Sequence, residues 1–327
     1  MIDRLKKIFR LKNILIVATI SGMLALLLSY FSPYVHPKTA SLLPLFGLGY
    51  WLIFLYNIVL LIIWSVMRSK WALFVLLCIL LGGQLHFRSF AFGSDEKNES
   101  GTEIRVMSYN VRLFDLYNSI SSKNQETKDN IFSYIKEQDP DIVCFQEFYH
   151  QDPPTSFVTK DSLTKMMGFV DYHERYAHKM YGRQNFGIAL FSKYPIIEKG
   201  FVNFPEQNGS FNYCIYADII KEDTFRVYNI HLQSIRLQKD DYALFDEDDQ
   251  VVAQQSSNAF KLINKIRKAY PVRAVQAELI AEHAKASPYP VILCGDFNDT
   301  PLSYCYNQFS ANLIDAFRNT SFGLGTT

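Results

Sequence analysis

Residues 291–301 read VILCGDFNDTP, an apolar run that stops at a glycine and then presents Asp296 and Asn298 ahead of a proline. A short continuous apolar run bounded by Gly and Pro reads as a strand covered on both faces, with Asp296 and Asn298 at its carboxyl end. Working outward, the same pattern recurs three times upstream. IRVMSYN (104–110) ends on Asn110, DIVCFQE (141–147) on Glu147 and FRVYNIH (225–231) on His231. A polar stretch with helical spacing, Gln125 to Gln138, separates the first two, giving the order strand, helix, strand. FVDYHERYA (169–177), FGIALFS (186–192), IIEKGFVNF (196–204) and NYCIYADII (212–220) then come without helices, which suits antiparallel or mixed pairing. A helical region from Val251 to Ala286, interrupted at Pro271, carries Val275, Leu279 and Ile280 at helical spacing and leads back into VILC. The expected class is α/β (α+β), with two mixed sheets covered by helices.

The first ninety residues are a different polymer. Three stretches reach or approach the roughly 20 apolar residues that a bilayer core demands: Leu11 to Phe31, Leu42 to Trp64 and Trp71 to Phe87. The third is the shortest and carries Gln84 and His86 near its end, which leaves a re-entrant segment as its alternative. Arg4, Lys6, Lys7, Arg10 and Lys12 lead into the first stretch as they would into a signal peptide. That run is too long for a signal h-region, however, and no small-residue cleavage pattern comes after it. Arg68 and Lys70 join the second and third stretches while the first loop offers only Lys38, so the amino end is expected in the cytoplasm. Three crossings would put everything after Phe87 on the far side of the membrane; two would reverse that. Gly93 to Thr102, GSDEKNESGT, reads as a polar linker. The expected organisation is a transmembrane region over 1–92, a linker over 93–102 and a domain over 103–327, in a multi-pass protein of the bacterial inner-membrane type.

Bulk charge is silent: 33 basic residues face 32 acidic ones. Lys261, Lys265, Arg267, Lys268 and Arg273 could form a basic face for nucleic acid, but DDYALFDEDDQ (240–250), an expected exposed loop, precedes them, and a solvated helix face is the simpler reading. Cys78, Cys144, Cys214, Cys294 and Cys305 show no CxxC or CxH spacing and read as buried thiols, not zinc ligands.

Polar side chains at the ends of buried strands are expensive to desolvate unless they have partners. Singly, Asn110 could satisfy a turn, Glu147 could cap the next segment and His231 could be a bonded core histidine. Four such placements together point to one site. Glu147 and Asp296 are the oxygen ligands a hard divalent cation prefers, and magnesium typically needs only about one or two carboxylates. Asn110, Asn298 and His231 add groups that can hold phosphate oxygens as charge builds. Arg112, Asp115, Gln146, Asn185 and Ser234 adjoin these positions as supporting or loop residues. His150, His173, His178 and His283 read as surface or loop residues without a role.

The ordered set SYNVRLFD, DIVCFQE, FGIALFSKYPI, VYNIHLQS and VILCGDFNDTP resembles the endonuclease/exonuclease/phosphatase family, which includes apurinic endonuclease-like and DNase I-like nucleases, inositol polyphosphate phosphatases and neutral sphingomyelinases. The resemblance spans about Glu103 to Thr327. It implies a four-layer α/β sandwich and a metal-dependent phosphoesterase using Mg2+, with Mn2+ as an alternative. Glu147 would be the principal metal ligand, joined by Asn110 and Asp296. Asp296 would also orient or deprotonate the attacking water, and Asn298 and His231 would bind the scissile phosphate, with Asn185 and Ser234 as further substrate contacts.

Family members normally continue to an Asp-His pair, and no Asp-His dipeptide occurs in this sequence. The expectation is therefore a fragment whose last strands are missing and whose activity is weak. The alternative is a catalytically degenerate binding or scaffolding protein. The expected partners are the lipid bilayer and a phosphoester substrate: a phospholipid head group, a sugar or inositol phosphate, or nucleic acid in a nuclease reading. No obligate protein partner is evident.

Overall fold

The structure is a computed structural model that describes residues 2–93, 103–116, 126–155, 157–205, 212–235 and 252–325. The linker expected over 93–102, apart from Gly93, and the acidic loop 240–250 lie outside the described residues. The helices are α1 (Ile2–Phe31), α2 (Leu43–Leu48), α3 (Tyr50–Val66), α4 (Trp71–Leu80), α5 (Glu126–Gln138), α6 (Lys160–Met167), α7 (Val252–Lys285), α8 (Tyr304–Ser310) and α9 (Ala316–Thr320). The strands are β1 (Phe90–Phe92), β2 (Val106–Asn110), β3 (Ile142–Gln151), β4 (Asp171–Met180), β5 (Gln184–Ser192), β6 (Ile196–Phe201), β7 (Tyr213–Ile220), β8 (Thr224–His231), β9 (Val291–Asp296) and β10 (Phe322–Leu324). The chain divides into two compact units: Met1–Lys97 with Ile235–Ala274 and Asp299–Thr327, and Asn98–Ser234 with Val275–Asn298.

The second unit holds two four-stranded sheets, ordered β2-β3-β5-β4 and β6-β7-β8-β9. Both are mixed, as expected: β2 with β3 and β8 with β9 are parallel, and the other pairs antiparallel. Because side chains alternate along a strand, each sheet has two apolar faces to cover. Between the sheets, Ile142, Cys144, Ile188 and Leu190 pack with Ile215, Ala217 and Val227. On the first sheet's other face, Val143, Phe145 and Phe191 pack with Ile131 and Ile135 of α5 and Leu163 of α6. The carboxyl half of α7 covers the second sheet, where Ala277 and Ile280 are buried and His283 Nδ1 lies 2.7 Å from the Tyr228 hydroxyl. The result is the four-layer sandwich the resemblance implies.

Several expectations change. The helix α7 runs unbroken through Pro271, although proline in a helix interior costs about 3 kcal/mol. Tertiary burial of Ile266, Ala269, Tyr270, Ala274 and Ala277 on both sides of it outweighs that cost. Arg273 leaves the anticipated basic face: it is fully buried, with Nη1 3.2 Å from Asp299 Oδ2. His150, His173 and His178 sit in strands and His283 in a helix, none of them in a loop; His150 is buried. All five cysteines are free thiols, four of them buried.

Among the described residues, one helix is long and apolar enough to cross a membrane, Leu11–Phe31 in the first unit, with mean hydropathy 2.3. The second apolar stretch is broken at Gly49 into α2 and the 17-residue α3, and the third ends as α4 after ten residues. Gly83, at φ +45°, then opens a 3-10 turn over Gly83–Arg88. Three full-length spans are thus replaced by one long helix and shorter apolar ones. These helices keep polar groups inside: Trp64 Nε1 donates to Thr19 Oγ1 at 2.8 Å, and Asn57 Nδ2 donates to the Gly22 carbonyl at 3.0 Å. Leu52, Val66 and Leu81 point outward, each more than 70% exposed. Leu302 is buried in the same cluster, and Arg88 donates to Asn307 Oδ1 at 2.9 Å.

Candidate active site

Parallel pairing sets the first step of the geometry. It places Asn110 opposite Gln146 at the end of β2, and His231 opposite Asp296 at the ends of β8 and β9. Strands β2 and β9 are the edges of their respective sheets. Glu147 is not at a strand end as the sequence suggested, because β3 continues to Gln151. Glu147 lies in a bulge between Phe145 and Phe148, with φ +50°. A bulge breaks the two-residue alternation and re-aims a side chain. A non-glycine residue in this region costs about 1–2 kcal/mol, strain of the kind that concentrates at functional sites.

Asn110 is the hub. Its Nδ2 donates to Asp296 Oδ2 at 2.8 Å and to Glu147 Oε1 at 3.2 Å, while its Oδ1 accepts from the Arg112 backbone N–H at 3.0 Å. Two carboxylates from different sheets thereby reach one amide nitrogen. His231 Nε2 lies 4.0 Å from Glu147 Oε1. That nitrogen is buried and has no hydrogen-bond partner among the described residues. Burial holds the His231 imidazole below its ordinary range against the opposing pull of Asp296 and Glu147, so the ring is neutral near pH 7.

The Asp296 end is fixed by its neighbours. Gly295 has φ +146°, and a Cβ there would collide with the Ile230 carbonyl, so the close approach of β9 to β8 requires glycine. Asn298, at φ +51°, donates its backbone N–H to Asp296 Oδ1 at 2.9 Å and its side-chain Nδ2 to the Leu232 carbonyl at 3.0 Å. Asn298 therefore orients Asp296, and one of its amide hydrogens is already engaged.

Asn185 is bonded outside this cluster. Asn185 Nδ2 donates to Asp152 Oδ1 at 3.1 Å and lines a cavity of about 390 Å³ with Asp152, Lys160, Glu174, Tyr176 and Lys179. Ser234 lies three residues past His231, its carbonyl accepting from Gln233 Nε2. Arg112 is exposed, and Asp115 accepts from Thr127 Oγ1 at 3.3 Å.

Two residues do more than the sequence suggested. Gln146 is buried between the sheets, where its Nε2 donates to Asn229 Oδ1 at 2.7 Å. Asn229 Nδ2 donates in turn to the carbonyls of Phe145 and Ala189 at 3.0 and 2.8 Å. This amide pair ties β8 to β3 and β5 one residue before Glu147. The available signal was an asparagine interrupting the apolar run VYNIH.

Among the described residues, no group of three or more His, Cys, Asp or Glu side chains is arranged to hold a metal ion. The donor set nevertheless fits a hard cation that keeps most of its water: two carboxylates converge on one amide and no thiol is present.

The Endonuclease/Exonuclease/phosphatase family matches residues 107–323, and a domain of unknown function, DUF8431, matches residues 12–89. No curated protein matches the chain. Among solved structures, a β-hairpin deletion mutant of beta toxin from Staphylococcus aureus is 19% identical, covering 65% of this chain and 73% of that one, with a TM-score of 0.41. The human nocturnin catalytic domain with bound sulfate is 18% identical over 64% and 69%, TM-score 0.43. An endonuclease/exonuclease/phosphatase family protein from Bacteroides thetaiotaomicron is 18% identical over 65% and 69%, TM-score 0.42.

Proposed function

Because this chain belongs to the endonuclease/exonuclease/phosphatase family, we propose that the cluster around Asn110 hydrolyses a phosphoester by in-line attack of water. The observation that carries the reading is the meeting of Glu147 and Asp296 at one amide nitrogen, beside a buried histidine whose Nε2 has no hydrogen-bond partner among the described residues. Glu147 and Asp296 would hold a divalent cation, Mg2+ or Mn2+, and Asn110, whose Nδ2 donates to both carboxylates, would orient them. When bound, that cation neutralises charge developing on the phosphoryl oxygens.

The protein's own groups divide the remaining work. Asp296, oriented by the Asn298 N–H, accepts the proton of the attacking water. His231, in its Nε2–H tautomer, donates to a non-bridging phosphoryl oxygen; being neutral, it adds a hydrogen bond without a fixed charge. The strained bulge at Glu147 and the Gln146–Asn229 bridge hold the carboxylate in place before substrate arrives.

The membrane reading is also ours. We propose that α1 crosses the bilayer with the amino end cytoplasmic, that α3 and α4 pack on it within the apolar layer, and that the catalytic residues come on the far side. Its support is the inverted polarity of these helices, with Thr19 and Asn57 inside and Leu52 and Val66 outside. An anchored site favours a phospholipid head group or a sugar or inositol phosphate over chromosomal DNA. Loss of Arg273 from the basic helix face weakens the nuclease alternative.

The test is turnover of bis-p-nitrophenyl phosphate, of phospholipid vesicles and of plasmid DNA with Mg2+ or EDTA. Glu147→Ala and Asp296→Ala should each lose at least about a hundredfold in rate, the scale of a removed electrostatic or acid–base group. Wild-type rates in both variants would refute the site.

A further inference from the structure

The two-stranded sheet formed by β1 and β10 has its polarity reversed. Its register sets Phe92 opposite Phe322 and Ala91 opposite Gly323. Residues two apart share a face, so Phe90, Phe92 and Phe322 line one side and the small Ala91 and Gly323 the other. The buried side is the small one: Ala91 is fully buried, whereas Phe92 is 60% and Phe322 80% exposed. Phe87, 48% exposed, extends the aromatic face, its ring 5.5 Å from that of Phe92. Ring centroids 6.2 Å apart join Phe92 to Phe322. A strand pair facing water would place polar side chains on its open side.

We propose that this aromatic face is a bilayer-contact surface, lying flat in the lipid headgroup region where the apolar helices leave the membrane. The inference rests on the proposed membrane insertion of α1 and names a surface that the insertion does not include. Lipid is the occupant because the face continues an apolar exterior. Phe87 and β1 come after α4 within one short turn, and Phe31, the last residue of α1, is 57% exposed. The sheet cannot lie deeper. Two strands leave unpaired edge N–H and C=O groups, which hydrocarbon does not tolerate but the hydrated interface does. An apolar face at that level sinks about 5–10 Å into the headgroup and acyl boundary. Arg88, held by Asn307 and by the rings of Tyr34 and Tyr306, marks the polar side of the same unit. The segment after the GDFN motif would therefore be fastened to the membrane through β10 as well as through Leu302.

Nitroxide labels on the full chain in phosphatidylcholine–phosphatidylglycerol vesicles test this, at Phe322→Cys, at Leu24→Cys on the exposed face of α1 and at Ala311→Cys on the exposed polar surface. Labelling of the unsubstituted chain gives the blank. The Phe322 label should be open to oxygen and shielded from a water-soluble nickel chelate, the Leu24 label more so, and the Ala311 label open to the chelate. Adding Phe92→Ser should restore nickel access at position 322. A Phe322 label as open to nickel as Ala311 overturns the inference. So does one shielded from both reagents, which would mean that protein covers the face. A Leu24 label open to nickel overturns the anchor reading itself.

Discussion

Asn57 in the apolar helices and Asn229 in the sheet sandwich are both fully buried amides with two backbone carbonyls as acceptors, yet their surroundings are opposite. Around Asn229 the apolar side chains point inward, Cys144, Ile188 and Val227 filling the space between the sheets, and the outer layers are amphipathic helices. Around Asn57 the apolar side chains point outward, Leu52 and Val66 being nearly bare. Donation of the buried amide nitrogen to backbone carbonyls is common to both regions. What differs is the solvent each exterior fits, and that difference sets how much each interior bond contributes.

The largest expected effect comes from Arg226, whose Nε and Nη2 grip Asp218 at 2.6 and 2.7 Å in the second sheet. Arg226→Met leaves the fully buried Asp218 unpaired and should destabilise the sandwich by about 3–5 kcal/mol, read from urea unfolding monitored by far-UV dichroism. Next, Asn229→Leu strands the Phe145 and Ala189 carbonyls, removes one of the acceptors of Gln146 Nε2, and should cost about 2–4 kcal/mol by the same assay. Asn57→Leu should cost only about 0.6–1.7 kcal/mol in vesicles, since the unfolded-in-membrane state finds other partners. Equal losses at Asn57 and Asn229 would erase the contrast.

The smallest effect is a slope. Burial holds His173 below its ordinary range while its Nε2 donates to the Gly200 carbonyl at 2.9 Å. The neutral ring is favoured in the folded state, so the unfolded chain takes up protons first. Stability from this group is intact above the unfolded value of about 6.5 and falls as pH drops below it. His173→Gln should flatten the decline of unfolding midpoint between about pH 7 and 5 without raising the midpoint at pH 8.

Three of the four strand-end placements were legible in the sequence, because an apolar run closed by a polar residue leaves one reading: Asn110, His231 and Asp296 do end their strands. Glu147 was not, since a bulge depends on what the partner strand β5 offers and leaves no local mark. The Gln146–Asn229 bridge escaped for the same reason: it joins residues 83 positions apart. Local propensity alone makes Pro271 a break, and burial on either side of it decides otherwise. Apolar length alone suggested three membrane crossings, but Gly49 and Gly83 divide two of those stretches into shorter helices. Motif adjacency places Asn185 with the site, whereas β5 carries it to Asp152 and a neighbouring cavity.

Manganese binding measures the central claim most directly, because it reads the convergence of Glu147 and Asp296 apart from any substrate. Titration of the full chain with Mn2+, tracked by the free-ion electron paramagnetic resonance signal, should give one site that Mg2+ displaces. That site should weaken at least about tenfold in both Glu147→Gln and Asp296→Asn, each of which removes one charged oxygen ligand. Unchanged Mn2+ affinity in both variants would contradict the account.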